Sequence, residues 1–280
     1  MLCIDSSVSN SPYRAGPCNA IGRHRAAATV AACLLVLAAC SERVPDPRAS
    51  APSPVAAAPA PPVQREPRAV RHADFRGKRA SEDVRHIADW AVDSGDNRNA
   101  PFVIVDKAGA EAYAFDSSGK LLGAAPVLLG LARGDDNPPG VGERPLSAIA
   151  ANERITAAGR YVGELGYNLR GEDVLWVDYD AGLSLHRVLT TNPKEHRARR
   201  LATPTIDDNR VSYGCINVPV PFFEEVVRRA YRNTKGMVYI LPETKPAQVV
   251  FGSYDVDARV SSNKRGSGDA LHTAAMPSPR

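Results

Sequence analysis

Leu183-Ser184-Leu185-His186-Arg187-Val188-Leu189 begins with a strict alternation of apolar and polar residues over Leu183 to His186. Leu183, Leu185 and Leu189 fall on one side, and Ser184, His186 and Val188 fall on the other. That period of two is the signature of a strand with one face turned to a core. Working outward, Phe102 to Val105, Ala112 to Phe115, Val127 to Leu129, Val174 to Tyr179 and Met237 to Leu241 read the same way. They are separated by turn-forming stretches such as Asp106-Lys107-Ala108-Gly109 and Asn137-Pro138-Pro139-Gly140. Many short strands with little helix predict a mainly β domain, a sandwich or barrel, with antiparallel pairing expected to dominate.

Two helices interrupt the pattern. Ser81-Glu82-Asp83 supplies a cap and two acids for a short helix whose apolar face is Val84, Ile87, Trp90 and Ala91. The stronger one follows Cys215. Pro219 and Pro221 mark its entrance, and Phe222, Phe223, Val226, Val227, Ala230 and Tyr231 form its buried stripe. Glu224 and Glu225 fall in its first turn and Arg228, Arg229 and Arg232 in its last, as the helix dipole favours. Its positive end is expected to lie close to Cys215 and to favour a thiolate there.

The flanks cannot build a core. Arg23, His24 and Arg25 precede the uncharged run Ala26 to Ala39, which is too short for a membrane span of roughly 20 residues but suits a signal segment. Leu37-Ala38-Ala39-Cys40 closes that run and resembles a bacterial lipoprotein box. The resemblance implies lipidation of Cys40 and, with Ser41 next, the outer membrane of a Gram-negative cell. Residues 41–70 are rich in Pro and Ala, an extended tether. The expected organisation is a leader over 1–39, a linker over 40–80, a catalytic domain over 81–252 and a disordered tail over 253–280. The net charge of +4 is modest. Together with an extracytoplasmic address it argues against a nucleic-acid partner. Neither Cys-x-x-Cys nor His-Glu-x-x-His occurs, so neither a metal nor another cofactor is expected.

Removal of the leader takes Cys3, Cys18 and Cys33 away, and lipidation would occupy Cys40. Cys215, in Ser212-Tyr213-Gly214-Cys215-Ile216-Asn217, is then the expected free thiol, either a nucleophile or an inert small hydrophobe. A nucleophile needs a base. His72 and His272 fall in the flanks, His86 on the first helix and His196 in the polar stretch Lys194-Glu195-His196-Arg197. His186, on a rigid strand, is the candidate.

His186 on its strand followed by Ser212-x-Gly214-Cys215-x-Asn217 resembles the signature of the L,D-transpeptidases, the YkuD-domain family. Leu128-Leu129-Gly130, Pro139-Gly140-Val141-Gly142 and the closing strand Met237 to Leu241 resemble that family more loosely, so the likeness covers about Pro101 to Leu241. It implies a YkuD-like β-sandwich or barrel of mixed strands, with one helix after the catalytic cysteine loop. It also implies a periplasmic acyltransferase acting on tetrapeptide stems of peptidoglycan, and hence a role in cell-wall organisation. Cys215 would attack the carbonyl between diaminopimelate and D-alanine, with His186 as general base and then acid. Backbone amides near Gly214 and Cys215 would form the oxyanion hole, and the main-chain carbonyl of Arg187 would orient the histidine. Ser212, Tyr213 and Asn217 would support the loop, and Arg187 and Arg210 are candidate substrate contacts.

The chain departs from the family at two places. Tyr213 stands where the family most often has His or Arg, and the 187–214 connection is long and basic, with Lys194, Arg197, Arg199, Arg200 and Arg210. It reads as an enlarged lid or, equally, as a solvated loop. These departures keep a second expectation open, a catalytically silent peptidoglycan-binding lipoprotein with the same fold. A sortase is disfavoured because no later strand arginine is found. An NlpC/P60 peptidase is disfavoured because its Cys precedes its His.

Overall fold

In the computed structural model of the protein, residues 69–259 are described. The leader, Cys40 and most of the Pro/Ala tether lie outside them, as do residues 260–280. Among the described residues, no helix is long and apolar enough to cross a membrane.

Helix α1 (Glu82–Ser94) opens the body, with the Ser81 hydroxyl capping the Val84 amide and Gly95 ending it in the left-handed region at φ 76°. Ten strands follow: β1 (Phe102–Asp106), β2 (Glu111–Phe115), β3 (Leu121–Pro126), β4 (Leu129–Gly130), β5 (Gly159–Tyr167), β6 (Asp173–Asp178), β7 (Leu183–Arg187), β8 (Arg210–Ser212), β9 (Ile216–Val218) and β10 (Gly236–Ile240). Eight form one sheet in the order β3-β2-β1-β10-β5-β6-β7-β9, and β4 pairs with β8. Leu128 and Asn217 exchange backbone hydrogen bonds at 2.8 and 2.9 Å, which ties the β4 segment to β9. The result is β-rich and nearly closed, like a barrel. The sheet is mixed: β1–β10 and β7–β9 are parallel, and the other pairs of the large sheet are antiparallel. The β4–β8 pair is parallel too, so the expectation of mainly antiparallel pairing holds for most pairs and fails at three.

Phe102-Val103-Ile104-Val105 is apolar at every position because β1 is buried on both faces. Phe102 and Ile104 meet α1 in one core, along with Tyr239 and Phe251. Val103 and Val105 meet the other core, built from Leu175, Leu185, Ile216, Phe223 and Val227. That second core is where the helical segment after Cys215 packs. The segment is composite, α3 (Val220–Phe222), a π-helical stretch (Phe223–Val227) and α4 (Arg228–Ala230).

The expected domain boundaries shift outward. Val70, Ala73 and Phe75 pack on the α1 core, and the Ala73 amide donates to Asp89 at 2.8 Å, so part of the predicted linker belongs to the body. At the other end Val256 is buried, and the Tyr254 hydroxyl and Arg259 guanidinium both reach the buried Asp93. The first residues of the predicted tail are thus held by a carboxylate that α1 places in the core. Two further helices were not foreseen, α2 (Arg197–Ala202) and α5 (Ala247–Phe251).

Candidate active site

Strand alternation sets the site. Leu183 and Leu185 of β7 and Ile216 and Val218 of β9 point into the core. Ser184 and His186, and Cys215 with Asn217, must therefore stand on the opposite face. Register pairs Leu185 with Ile216 and His186 with Asn217 in parallel strands. Ser184 is thereby the direct neighbour of Cys215, and its Oγ lies 3.7 Å from Cys215 Sγ. Standard strand rise and spacing put His186 and Cys215 about 8 Å apart at Cα, a gap that an imidazole and a thiol can span. The two open onto different cavities. Cys215 lines one of about 30 Å³ with Arg144, Tyr213 and Gly214, and His186 lines one of about 260 Å³ with Glu172 and Arg187.

Cys215 is nearly buried, with Sγ 3.5 Å from the Gly182 carbonyl oxygen. Its sulfur takes part in a disulfide in this structure. The expectation of a free thiol concerned the processed chain, and the chemistry below concerns the reduced form.

The His186 ring is anchored through Nδ1, 2.7 Å from the Arg187 carbonyl oxygen. A carbonyl can only accept, so Nδ1 carries the proton and Nε2 the lone pair. Burial pushes the imidazole down to about 4, against the raising effect of the Arg187 carbonyl, with Arg197 lowering it further. The ring is therefore neutral at pH 7.

The cysteine loop is braced at two successive carbonyls. Thr156 Oγ1 donates to the Gly214 oxygen at 2.7 Å and accepts from the Gly130 amide at 2.8 Å. Ser212 Oγ donates to the Cys215 oxygen at 2.7 Å, and Asn217 Nδ2 donates to it at 3.3 Å. Gly214 sits at φ +134°, and a Cβ there would fall 2.7 Å from the Ile155 oxygen, so only glycine fits. Its amide donates to Ser212 Oγ at 3.1 Å. That bond already uses one of the two amides expected to form an oxyanion hole.

Three expectations are redrawn. The positive end of the following helix does not sit at Cys215. Strand β9 intervenes, so the helix starts about 15 Å further along the chain at the usual strand rise, beyond the reach of a first-turn dipole effect. The side chains offered as substrate contacts are both engaged by partners within the protein, and Arg187 also lines the cavity that holds His186. Arg187 bonds Glu224 and the Asp173 carbonyl oxygen and stacks on Phe223 at 4.2 Å. Arg210 bonds Glu243 at 2.6 Å and the Lys107 oxygen at 3.0 Å. Tyr213, where the sequence put no cation, receives one from elsewhere: the Arg154 guanidinium lies 3.9 Å above its ring.

The long basic connection is partly structural. Arg197 is buried, bonds Glu195 and donates to Asn217 Oδ1 at 2.8 Å, and Arg200 donates to the Glu195 and Asp208 oxygens. Lys194 and Arg199 are exposed. The contributions of Thr156, Ser184, Arg144 and Arg154 carry no motif. They come from segments that only folding brings to Cys215. Among the described residues, no group of three or more His, Cys, Asp or Glu is placed to hold a metal.

No family model matches the chain, and no curated protein matches it.

Proposed function

We propose that the protein is a peptidoglycan L,D-transpeptidase of the YkuD type, working through a Cys215 acyl-enzyme. The observation that carries this reading is that His186 and Cys215 fall on the same face of two paired parallel strands, with Nδ1 committed to the Arg187 carbonyl. In the reduced protein, His186 Nε2 takes the thiol proton as Sγ attacks the carbonyl of the tetrapeptide's last peptide bond. The C–N bond breaks, and the imidazolium returns its proton to the departing D-alanine amine. A thioester remains on Cys215. An acceptor amine then attacks it to give a 3–3 crosslink or a protein anchor, or water attacks to give hydrolysis, and the thiol is regenerated. Ser212 and Asn217 hold the loop, and Tyr213, stacked under Arg154, forms a wall beside the sulfur. The lipid on Cys40 and the periplasmic, membrane-tethered location belong to the same reading.

A second reading, a silent wall-binding lipoprotein, is favoured by one observation: Cys215 and His186 line separate cavities. Intact mass after reduction and exposure to a carbapenem separates the two. The enzyme should gain one acyl adduct, mapped to Cys215, and should release D-alanine from tetrapeptide muropeptides. Cys215→Ser should do neither, because a serine hydroxyl is far less acidic than a thiol. No adduct on reduced wild type, or undiminished turnover by Cys215→Ser, would overturn the acyl-enzyme.

A further inference from the structure

Ser184 is buried, with 1 % of its surface exposed, and among the described residues its hydroxyl makes one hydrogen bond, to the Cys215 sulfur at 3.7 Å. Register explains the contact. Strands β7 and β9 run parallel with Leu185 beside Ile216, so Ser184 and Cys215 stand side by side on the opposite face. The juxtaposition therefore belongs to the backbone and not to the oxidation state of the sulfur. The Gly182 carbonyl oxygen, 3.5 Å from Sγ, acts in the opposite sense, since it can accept from a thiol but repels a thiolate. Positive charge near the sulfur is remote or committed. His186 is neutral at pH 7, and strand β9 separates the following helix from Cys215. Arg144, in the wall of the cavity that Cys215 lines, is paired with Glu153, and Arg154 is stacked on the Tyr213 ring. A hydroxyl aimed at the sulfur gains strength as a donor when the acceptor becomes an anion.

We propose that Ser184 is a catalytic residue, whose hydroxyl donates a hydrogen bond to Cys215 Sγ and stabilises the attacking thiolate. The inference deepens the acyl-transfer reading and rests on it for one consequence. His186, a weak base, takes the proton of a thiol whose anion already has a donor beside it. Ser184 keeps its own proton throughout. The thiol proton passes to His186 Nε2, the S–C bond forms at the scissile carbonyl, and the Ser184 bond weakens as charge leaves the sulfur. The donation carries an opposing effect, because a stabilised thiolate is less nucleophilic, with a coefficient of about 0.4–0.5 on its basicity.

Alkylation of the reduced protein by iodoacetamide, followed against pH and mapped to the Cys215 peptide, tests this without requiring turnover. An S–C bond forms, a C–I bond breaks, iodide leaves and the thiol proton passes to solvent. In Ser184→Ala the midpoint of the rate profile should move up by about one pH unit, the scale of a lost hydrogen bond to a charged group. The plateau above the midpoint should be about threefold higher and the rate well below it about threefold lower. A general loosening of the site would instead move both ends of the profile in the same direction. Ser184→Thr keeps the hydroxyl and should keep the wild-type midpoint. An unmoved midpoint in Ser184→Ala, or the same upward move in Ser184→Thr, would overturn the assignment. Its outcome is separate from that of the enzyme reading. A moved midpoint with no carbapenem adduct on wild type would keep Ser184 as the thiolate's donor and remove the transpeptidase. An unmoved midpoint with an adduct would do the reverse.

Discussion

Burial holds the His186 imidazole neutral, with its pKa lowered from 6.5 to about 4. Above pH 6.5 the ring is neutral in both folded and unfolded chains and contributes nothing to the pH dependence of stability. As the pH falls from 6.5 towards 4, the unfolded chain takes up a proton that the folded one refuses, so stability is lost across that window. An NMR titration of the ring proton signals should give a midpoint near pH 4 for His186. A midpoint at 6 or above would mean that the ring is solvated and that Nε2 is not held ready in its neutral form. The same depression makes His186 a weak base, so proton removal from Cys215 depends on position more than on basicity. Position is what the Arg187 carbonyl supplies, with a bond that fixes the ring's tautomer as well as its orientation.

At the level of elements, the 187–214 connection joins the two strands that carry the site. Most of its charge is spent on keeping its own shape. Helix α2 is anchored from beneath by buried Arg197, which reaches Asn217 on β9. Replacing Arg197 with Met leaves Glu195 and Asn217 without that donor, and the loss of one partner from a buried set should cost about 3 kcal/mol. The lid should then open locally, before the sheet does. Limited trypsin digestion reads this directly, since Lys194 and Arg199 are exposed. Cleavage at those two sites should be several-fold faster in Arg197→Met than in wild type. Equal cleavage would show that α2 is held by other contacts.

At the scale of the whole molecule, one buried charge cluster joins distant parts of the chain. Lys107 Nζ is fully buried and donates to Asp135 Oδ1 at 2.8 Å, to the Gly134 oxygen at 2.5 Å and to the Thr156 oxygen at 3.0 Å. Burial opposes the charge on Asp135, but hydrogen bonds from Lys107, Thr244 and the Glu243 and Thr244 amides outweigh it and hold the carboxyl well below its usual range. Asp135 therefore adds stability that is present above pH 4 and lost as the pH falls further. Thr156 links this cluster to the cysteine loop, since its carbonyl meets Lys107 and its hydroxyl meets Gly214. Lys107→Met strands the buried carboxylate and should cost about 3–5 kcal/mol by urea denaturation at pH 7. The deficit should shrink at a pH low enough to protonate Asp135. A change under about 1 kcal/mol would mean that the pair is no better than an apolar filling.

Local pattern alone was enough to reveal the β-rich class, the α1 cap and the buried stripe after Pro221. Each depends on neighbours within a few positions, where alternation and capping act. Strand β5 escaped notice because Gly159, Gly163 and Gly166 interrupt its alternation. Gly163 is required by packing, since a Cβ there would lie 2.9 Å from Val238 Cγ2 across the sheet. Mixed pairing was equally hidden from local pattern, though implied by the family resemblance, because strand direction is set by crossovers and not by composition. The helix dipole was misjudged because three strand residues, Ile216 to Val218, carry the chain away from Cys215 before the helix begins. Tertiary structure alone decided that Arg154 lies over Tyr213, that Thr156 holds Gly214 and that Arg144 opens onto the sulfur's cavity. Those partners come from the 141–156 stretch, about 60 residues from the cysteine loop in sequence. No local rule relates them: only the closing of the sheet brings these segments together.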